Sequence, residues 1–360
     1  MEGEDRRLTY SFEVGIVGAG VAGSTCAQVL GAAGVNVALF DHSHPREKPC
    51  GGIIEDRVVK EFSIPEKFLE NKVKWLITER FGFRIKIPLK PPPFLVSRKT
   101  FDYYLLQRAL KNRNVKFFKE KVNHVIRRKN EWVLKTNGNI SVSVKTLIGA
   151  DGCPSLIRKY VFKPIPPEFL ASTVGYNFQC SSAYIEKAFT KNTIEVYYSS
   201  KYAPKMGFIW IFPKRTTINV GIGGFESGRR LKCSLDKFIL SHPAGGRLRS
   251  LKKTFFTHLL PIIWTENFFD LPCSGDNWAL IGDAAGHVNP VSGIGIYYAM
   301  KGGALCGLAF LNGDLRLFEK YWRNEYGDEL YYGANIALKF YSNGYGLLLW
   351  TRYIIESLLY

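Results

Sequence analysis

The sequence predicts an α/β fold, α+β overall: a Rossmann-like dinucleotide-binding domain interleaved with a mostly antiparallel β-sheet domain and closed by a helical C-terminal end. Three observations predict it. Short apolar runs end in glycine or acid at three distant places, Gly18-Ala19-Gly20-Val21-Ala22-Gly23, Ala150-Asp151-Gly152 and Gly282-Asp283-Ala284-Ala285-Gly286. From about residue 160 to 272, apolar and polar residues alternate instead, as in strands with one buried face. The chain has 360 residues, enough for about two domains and for burying roughly three quarters of its unfolded surface without staples.

The elements follow in order. Val14-Gly15-Ile16-Val17 reads as a short, fully buried strand, and the first glycines follow at once. Ala22 to Val35 has the apolar spacing of a helix, and Val37-Ala38-Leu39-Phe40 is a second buried strand ending at Asp41. Gly18, Gly20 and Gly23 suit the tight turn that brings backbone and helix N-terminus against a pyrophosphate. Asp41 stands where an acid accepts hydrogen bonds from the adenosine ribose. A chance glycine turn is the competing reading; strand, helix and acid in register favour dinucleotide binding. This motif does not separate NAD from FAD.

Trp75-Leu76-Ile77-Thr78 and Phe83-Arg84-Ile85-Lys86-Ile87 alternate as strands, and Lys90-Pro91-Pro92-Pro93 is a rigid connector. Phe101 to Leu110 reads as a helix, and strands between Val115 and Ile148 return to the first domain. Thr146 to Ala150 ends in Asp151-Gly152, with Ser155 and Arg158 beyond. Thr193 to Tyr198 and Thr217 to Gly221 belong to the second sheet, and Trp278 to Ile281 ends in Gly282-Asp283. Acids at the carboxyl ends of parallel strands sit where α/β sheets bind ligands. Gly293 to Leu311 reads as a helix rich in small residues whose N-terminus offers free N–H groups and a positive dipole end. There is no internal repeat and no low-complexity stretch.

These glycine and acid stretches, together with Val96-Ser97-Arg98, Phe101-Asp102 and Leu105, resemble the flavoprotein group of aromatic hydroxylases, halogenases and geranylgeranyl reductases, from residue 12 to about 311. The resemblance implies FAD, with Asp151 near the cofactor, Gly282 and Asp283 at its ribityl chain, and Arg98 near the flavin or its phosphates. Three details resemble the geranylgeranyl reductase branch. They are Lys48-Pro49-Cys50-Gly51-Gly52, Phe208-Ile209-Trp210-Ile211-Phe212-Pro213, and the continuation of the third stretch into Asn289-Pro290-Val291-Ser292-Gly293. Aromatic hydroxylases usually carry His where Gly286 stands. One departure is Ile294, between Gly293 and Gly295, where the branch often has Glu.

The resemblance implies an FAD-dependent reductase that saturates C=C bonds of a geranylgeranyl-type chain, borne by a lipid, a diphosphate or a related isoprenoid. An isolated trisubstituted alkene does not accept a bare hydride. The route is protonation at one carbon with hydride delivered from N5 of reduced flavin. It needs a dry, apolar tunnel and aromatic faces near the developing charge. Phe208, Trp210 and Phe212 alternate on one strand, so all three can share a face and are the candidate substrate-binding residues, although plain core aromatics have the same pattern. Cys50, Gly51 and Gly52 are the candidate catalytic segment. A thiol in an apolar setting is a poor acid, and a solitary cysteine is usually a small buried hydrophobe. The expected cofactor ligands are Gly18, Gly20, Gly23, Asp41, Arg98, Asp151, Gly282, Asp283, Gly293 and Gly295. His287 has the chemistry of a proton donor but is expected to be structural. With one dinucleotide fingerprint, the external electron donor is NAD(P)H docking transiently or a reduced ferredoxin-like protein.

Other readings stay open: an aromatic-ring monooxygenase, a halogenase, for which the chain is short, and a membrane-peripheral electron-transfer flavoprotein. The expected division is an FAD domain of 12–72, 97–160 and 273–325, a substrate domain of 73–96 and 161–272, and a helical region 326–360. Seven cysteines without a C-x-x-C pair argue for a reducing, cytoplasmic compartment and against a zinc site or disulfide scaffold. Met1-Glu2-Gly3-Glu4-Asp5 lacks the apolar core of a secretory signal. Tyr345 to Trp350 is apolar but far short of the ~20 residues of a membrane span. The Tyr-, Leu- and Trp-rich tail from Tyr331 to Tyr360 reads as a helical cap, or as a contact with the inner face of the membrane. Net charge is +18, with basic clusters at Lys111 to Lys121, Arg127 to Lys129, Arg229-Arg230 and Arg247 to Lys253. Such runs are mostly solvated faces, yet they attract anionic lipid or a prenyl diphosphate. No nucleic-acid recognition motif accompanies the charge.

Overall fold

The computed structural model describes residues 8–198, 201–204, 206–341 and 349. Met1 to Asp5 and, Leu349 apart, the tail beyond Tyr341 lie outside them. Leu8–Val17 pairs in parallel with Val37–Phe40 on one side and with Ile140–Gly149 on the other. Val115–Phe118 adds a parallel strand beyond Val37–Phe40, and Trp278–Leu280 adds another against the end of Ile140–Gly149. Strands covered on both faces need continuous apolar runs, and Val14, Ile16, Val37 and Leu39 are wholly buried. The antiparallel strands Val122–Arg127 and Trp132–Thr136 complete seven.

Register decides what this sheet presents. Val17 stands beside Phe40 and Gly149, and Gly149 stands beside Leu280. Four strands therefore end at one edge, which brings Gly18, Asp41, Asp151 and Asp283 to the same side of the domain. Helix Val21–Ala32 packs on helix Ile296–Leu311 through glycine: a Cβ at Gly303 would stand 2.4 Å from the carbonyl oxygen of Ala22.

The second sheet has the order Lys253–Pro261, Leu170–Gln179, Thr217–Gly224, Phe208–Pro213, Thr193–Tyr197, Trp75–Arg80, Phe83–Pro88. Every pair is antiparallel except Thr193–Tyr197 against Trp75–Arg80. Its outer face is covered by helix Gly228–Ser241, which buries Leu231, Leu235 and Phe238 against Val174, Val220 and Ile222. Its inner face carries Val196, Trp210 and Phe212, packed with Ile53 and Leu95 of a small three-stranded sheet. The fold is thus α/β, α+β overall. After Leu317–Trp322 and a π-helical turn at Arg323–Gly327 comes helix Asp328–Tyr341.

Several element bounds differ from the sequence reading, each for a local reason. The helix expected from Gly293 begins at Ile296. Gly293 has φ 71°, and the Asn289 side chain accepts from the N–H groups of Val291 and Ser292, so a turn precedes the helix. The helix expected from Phe101 begins at Arg98, because Glu47 caps it by accepting from the N–H groups of Arg98 and Lys99. The first strand starts at Leu8. Of the basic runs, Arg247 is not a free surface charge, since it forms a bidentate pair with buried Glu195.

Candidate active site

The first glycine loop is shaped by two different demands. A Cβ at Gly18 (φ 103°) would lie 2.2 Å from the Ala150 carbonyl oxygen, and one at Gly23 would lie 1.8 Å from that of Gly18. Packing alone requires glycine at both. Gly20 is different: at φ −67° and ψ −168° any residue fits, and a Cβ would meet nothing within 4 Å. Its missing side chain leaves open space in front of the first helical N–H groups, where an anion is favoured. Asp41 closes the loop by accepting from the Ala19 N–H at 3.1 Å and from the N–H and hydroxyl of Ser43. Burial would raise its pKa, but the Ser43 bonds and Arg46 outweigh it, and the net shift is downward. His44 and Arg46 flank Asp41 at 3.7 and 3.8 Å. Both His44 ring nitrogens and Arg46 Nη1 are buried without a hydrogen-bond partner among the described residues.

Asp151 is engaged otherwise than expected. Its carboxylate accepts from the Ser155 hydroxyl at 2.6 Å and from the N–H groups of Leu156 and Ile157 at 2.7 and 3.1 Å. It holds the start of helix Leu156–Val161, and the neighbouring Gly152 (φ 77°) is the position that borders open space. Arg98 is buried and forms a bidentate pair with Asp102 at 2.7 and 2.8 Å, the i,i+4 geometry its helix provides. Its charge also faces the Cys50 thiol.

Asp283 lies 3.2 Å from Lys48 Nζ. Burial would raise its pKa, yet the Lys48 ammonium holds it below the usual carboxylate range. A Cβ at Gly295 would stand 3.6 Å from Asp283 Oδ1, so that glycine borders the carboxylate directly, whereas Gly293 faces Leu260. Gly282 has φ 62° and packs between Ala22 and Ala299.

The Lys48 to Gly52 segment crosses from this edge to the second sheet. A Cβ at Gly51 would be 2.5 Å from the Phe212 ring, and one at Gly52 (φ 78°) would be 2.3 Å from the Val96 carbonyl oxygen. The Gly52 N–H lies 3.4 Å from Cys50 Sγ. Phe208, Trp210 and Phe212 share the face that meets Gly51, with ring centroids 6.0 and 6.5 Å apart along the strand. Gly221, opposite Trp210, makes room for the indole.

Sequence reasoning passed over four polar residues here. Lys48 lay inside a quoted motif without a role. Glu47 holds both the Arg98 helix and, at 3.4 Å, buried Lys214. Asn219 accepts from the Trp210 indole N–H at 2.6 Å. His258 follows Phe256 at strand spacing, so both share the inner face. Its Nε2 is buried without a partner among the described residues. Burial and then Lys48 press its pKa down to about 4, so it is neutral at pH 7. Only strand alternation from Phe256 signalled it. His287 is structural in geometry: its Nδ1 is 3.0 Å from the Tyr326 hydroxyl and its ring lies on Trp322. Burial presses its pKa down to about 3, which removes it as a proton donor near neutrality.

The residues fit a flavin dinucleotide in three respects. There is a glycine cradle with open space at Gly20 and Gly152, buried nitrogens of His44 and Arg46 beside Asp41 that make no hydrogen bond among the described residues, and a second acid, Asp283, at the same sheet edge. Comparison with known proteins agrees. The geranylgeranyl reductase catalytic domain matches residues 175–254, and an NAD(P)-binding Rossmann-like domain matches residues 16–62. The chain is 29% identical over 331 residues to a digeranylgeranylglycerophospholipid reductase of Methanococcus vannielii, covering 84% of this chain and 77% of the relative. It is 29% identical over 333 residues to a geranylgeranyl diphosphate reductase of Rhodobacter capsulatus, covering 88% and 81%. Among solved structures, a geranylgeranyl bacteriochlorophyll reductase-like protein from Thermoplasma acidophilum has a TM-score of 0.79 at 21% identity, over 94% of this chain and 90% of that one. A flavin-dependent brominase has a TM-score of 0.71 at 16% identity, over 97% and 93%. These two likenesses speak to the fold, which hosts more than one chemistry.

Proposed function

This chain belongs to the geranylgeranyl reductase family of FAD-dependent oxidoreductases, and we propose that it saturates C=C bonds of a geranylgeranyl-type chain on a lipid, a diphosphate or a related isoprenoid. One observation carries the reading. The Lys48 to Gly52 segment touches Asp283 at one end and the Phe212–Trp210 face at the other, joining the cofactor edge to an apolar aromatic surface.

Bound and reduced, FAD supplies the hydride. The protein's own residues do the rest. Gly18, Gly20 and Gly23 admit the pyrophosphate to the helix N-terminus, Asp41 receives the ribose, and Asp283 with Gly295 borders the ribityl region. Gly282, Gly293 and Gly152 shape the loops around it. Arg98, paired with Asp102, and Lys48, paired with Asp283, line the cofactor edge as ion pairs. Phe208, Trp210 and Phe212 exclude water from the prenyl chain and offer ring faces to the cationic character that protonation creates. Gly51, lacking a Cβ, lets the Lys48 to Gly52 segment pack directly on the Phe212 ring, which fixes that ring beside the cofactor edge. Cys50 Sγ, facing Arg98, holds the proton-positioning place within the Cys50-Gly51-Gly52 segment.

The interleaved division made above is part of this proposal, supported by the shared sheet of 73–96 and 161–272. Electrons come from NAD(P)H or a reduced ferredoxin-like protein. We place the chain in the cytoplasm, in peripheral contact with anionic membrane, a reading supported by its +18 charge. Among the described residues no helix is long and apolar enough to cross a membrane.

The test is anaerobic. The flavin is reduced photochemically and mixed with geranylgeranyl diphosphate or a geranylgeranylated lipid. Flavin reoxidation with a gain of two hydrogens per bond is the expected result. A flavin that stays reduced until oxygen enters would turn the assignment toward a monooxygenase or an electron-transfer flavoprotein.

A further inference from the structure

We propose that Thr78 and Arg80 form an anion seat at the far end of the prenyl-binding face, holding the phosphate of a phosphorylated substrate. This rests on the prenyl-reductase reading and narrows it: the substrate carries a phosphoester or diphosphate group.

Arg80 is 5% exposed and Thr78 is 1% exposed. They are two residues apart on Trp75–Arg80, so both point to one face of the sheet, about 7 Å apart. That face is the inner one, since register puts Thr78 beside Val196 and Val196 beside Trp210. Arg80 Nη1 and Thr78 Oγ1 are both buried without a hydrogen-bond partner among the described residues. Nη2 donates to the Phe340 carbonyl at 2.6 Å, and the guanidinium rests on the rings of Phe81, Tyr198 and Phe340. No described carboxylate pairs with it. The titratable groups facing it are the hydroxyls of Tyr198 and Tyr341, both neutral near pH 7, and burial lowers its pKa. A helix carbonyl and ring faces moderate a buried cation but leave its charge and one donor uncompensated. A phosphate oxygen answers both needs, because guanidinium and phosphate match in charge and geometry.

Position supports the assignment. From Gly51 the aromatic line runs through Phe212, Trp210 and Phe208, about 13 Å along the strand. It continues to Tyr198, 5.6 Å from Phe208, and then to the Arg80 guanidinium, 5.4 Å from Tyr198. The apolar path thus ends on a cation. Solvent lies beyond it: Phe81 is 43% exposed and Phe83, paired with Arg80, is 64% exposed. A polar headgroup entering there keeps its charge near water while the chain extends toward Gly51.

The experiment reads binding to the oxidised, full-length holoenzyme, so it does not depend on turnover. Wild type, Arg80→Met and Thr78→Val are titrated with geranylgeranyl diphosphate, a digeranylgeranyl glycerophospholipid in micelles, and uncharged geranylgeraniol. Arg80→Met should weaken the phosphorylated ligands tenfold or more and geranylgeraniol less than twofold. Whichever phosphorylated ligand suffers that loss identifies the source of the anion. Equal losses for charged and uncharged ligands would reduce Arg80 to a latch on the Phe340 helix end, and no loss for either phosphorylated ligand would end the proposal. Should Arg80→Met not fold, Thr78→Val and competition by inorganic pyrophosphate decide. Failure of millimolar pyrophosphate to displace geranylgeranyl diphosphate from wild type overturns the seat. A chain that binds through Arg80 yet transfers no hydride overturns the reductase reading and leaves the seat standing.

Discussion

Trp210 and Gly221 face each other across an antiparallel strand pair, and a Cβ at Gly221 would stand 2.1 Å from Cζ2 of the indole. The indole N–H is meanwhile held by Asn219 at 2.6 Å. The ring therefore has one place to lie, flat on a sheet position that only glycine leaves free. Gly221→Ala should displace it and lower stability by about 1–3 kcal/mol, the usual consequence of overpacking. The variant should purify with normal flavin content but lose at least tenfold in kcat/KM for a prenyl substrate. Unchanged kcat/KM would separate Trp210 from substrate binding.

At the other end of the site, Gly23→Ala forces a methyl to 1.8 Å from the Gly18 carbonyl oxygen. Backbone must move in the loop that receives the pyrophosphate. The expected product is colourless protein, checked by the flavin-to-protein absorbance ratio. A yellow Gly23→Ala protein would show that this loop does not hold the dinucleotide.

Asp283 and Lys48 are ion-paired across 235 positions of sequence. Asp283→Ala leaves the Lys48 charge half-buried without its partner and removes the proposed ribityl ligand. FAD affinity should fall tenfold or more in an equilibrium titration of the apoprotein, and the same affinity in both proteins would refute the role.

Acid should weaken the fold through His287. Burial holds it neutral in the folded chain, with a pKa of about 3, against about 6.5 when unfolded. A depressed folded pKa contributes stability that is complete above the unfolded value and is lost as pH falls toward the folded one. Below pH 6.5 the loss is about 1.4 kcal/mol per pH unit. Denaturant melts of wild type and His287→Gln between pH 7 and 4 should show the shallower slope in the variant. Parallel slopes would mean that His287 takes up no proton on unfolding.

Cys50→Ala separates positioning from chemistry. Sγ lies against the Gly52 N–H and the Arg98 charge, so FAD should remain bound while turnover falls about 100-fold or more, in the range of general acid–base effects. Full turnover with bound FAD would remove Cys50 from the reaction.

Much of the first domain was legible because its signals are local. The strand Val37–Phe40, the helix after Gly20 and the acid at 41 follow from neighbours within one turn or one strand. Asp151 shows the limit of such reasoning. Its place after a buried strand suited a ligand, but Ser155 and two N–H groups reach the carboxylate first. The helix at Ile296 shows it again, since the N–H groups of Val291 and Ser292 donate to the Asn289 side chain, a turn that outweighed the small-residue pattern and set the start three residues later. His258 and Arg80 carried no motif, and their standing depends on strand register that no window of sequence encodes.

By itself, the sequence determined the α/β class, the glycine cradle, the acids at strand ends and the aromatic alternation of Phe208, Trp210 and Phe212. Each follows from backbone freedom or side-chain periodicity over a few residues. Only the tertiary structure decided that Gly51 rests on Phe212, that Lys48 meets Asp283, and that Arg80 stands without a counter-ion among the described residues at the end of the aromatic face. Those contacts join strands and loops far apart in the chain. They arise from sheet pairing and burial, which set the distance, dielectric and hydrogen-bond partners of each side chain.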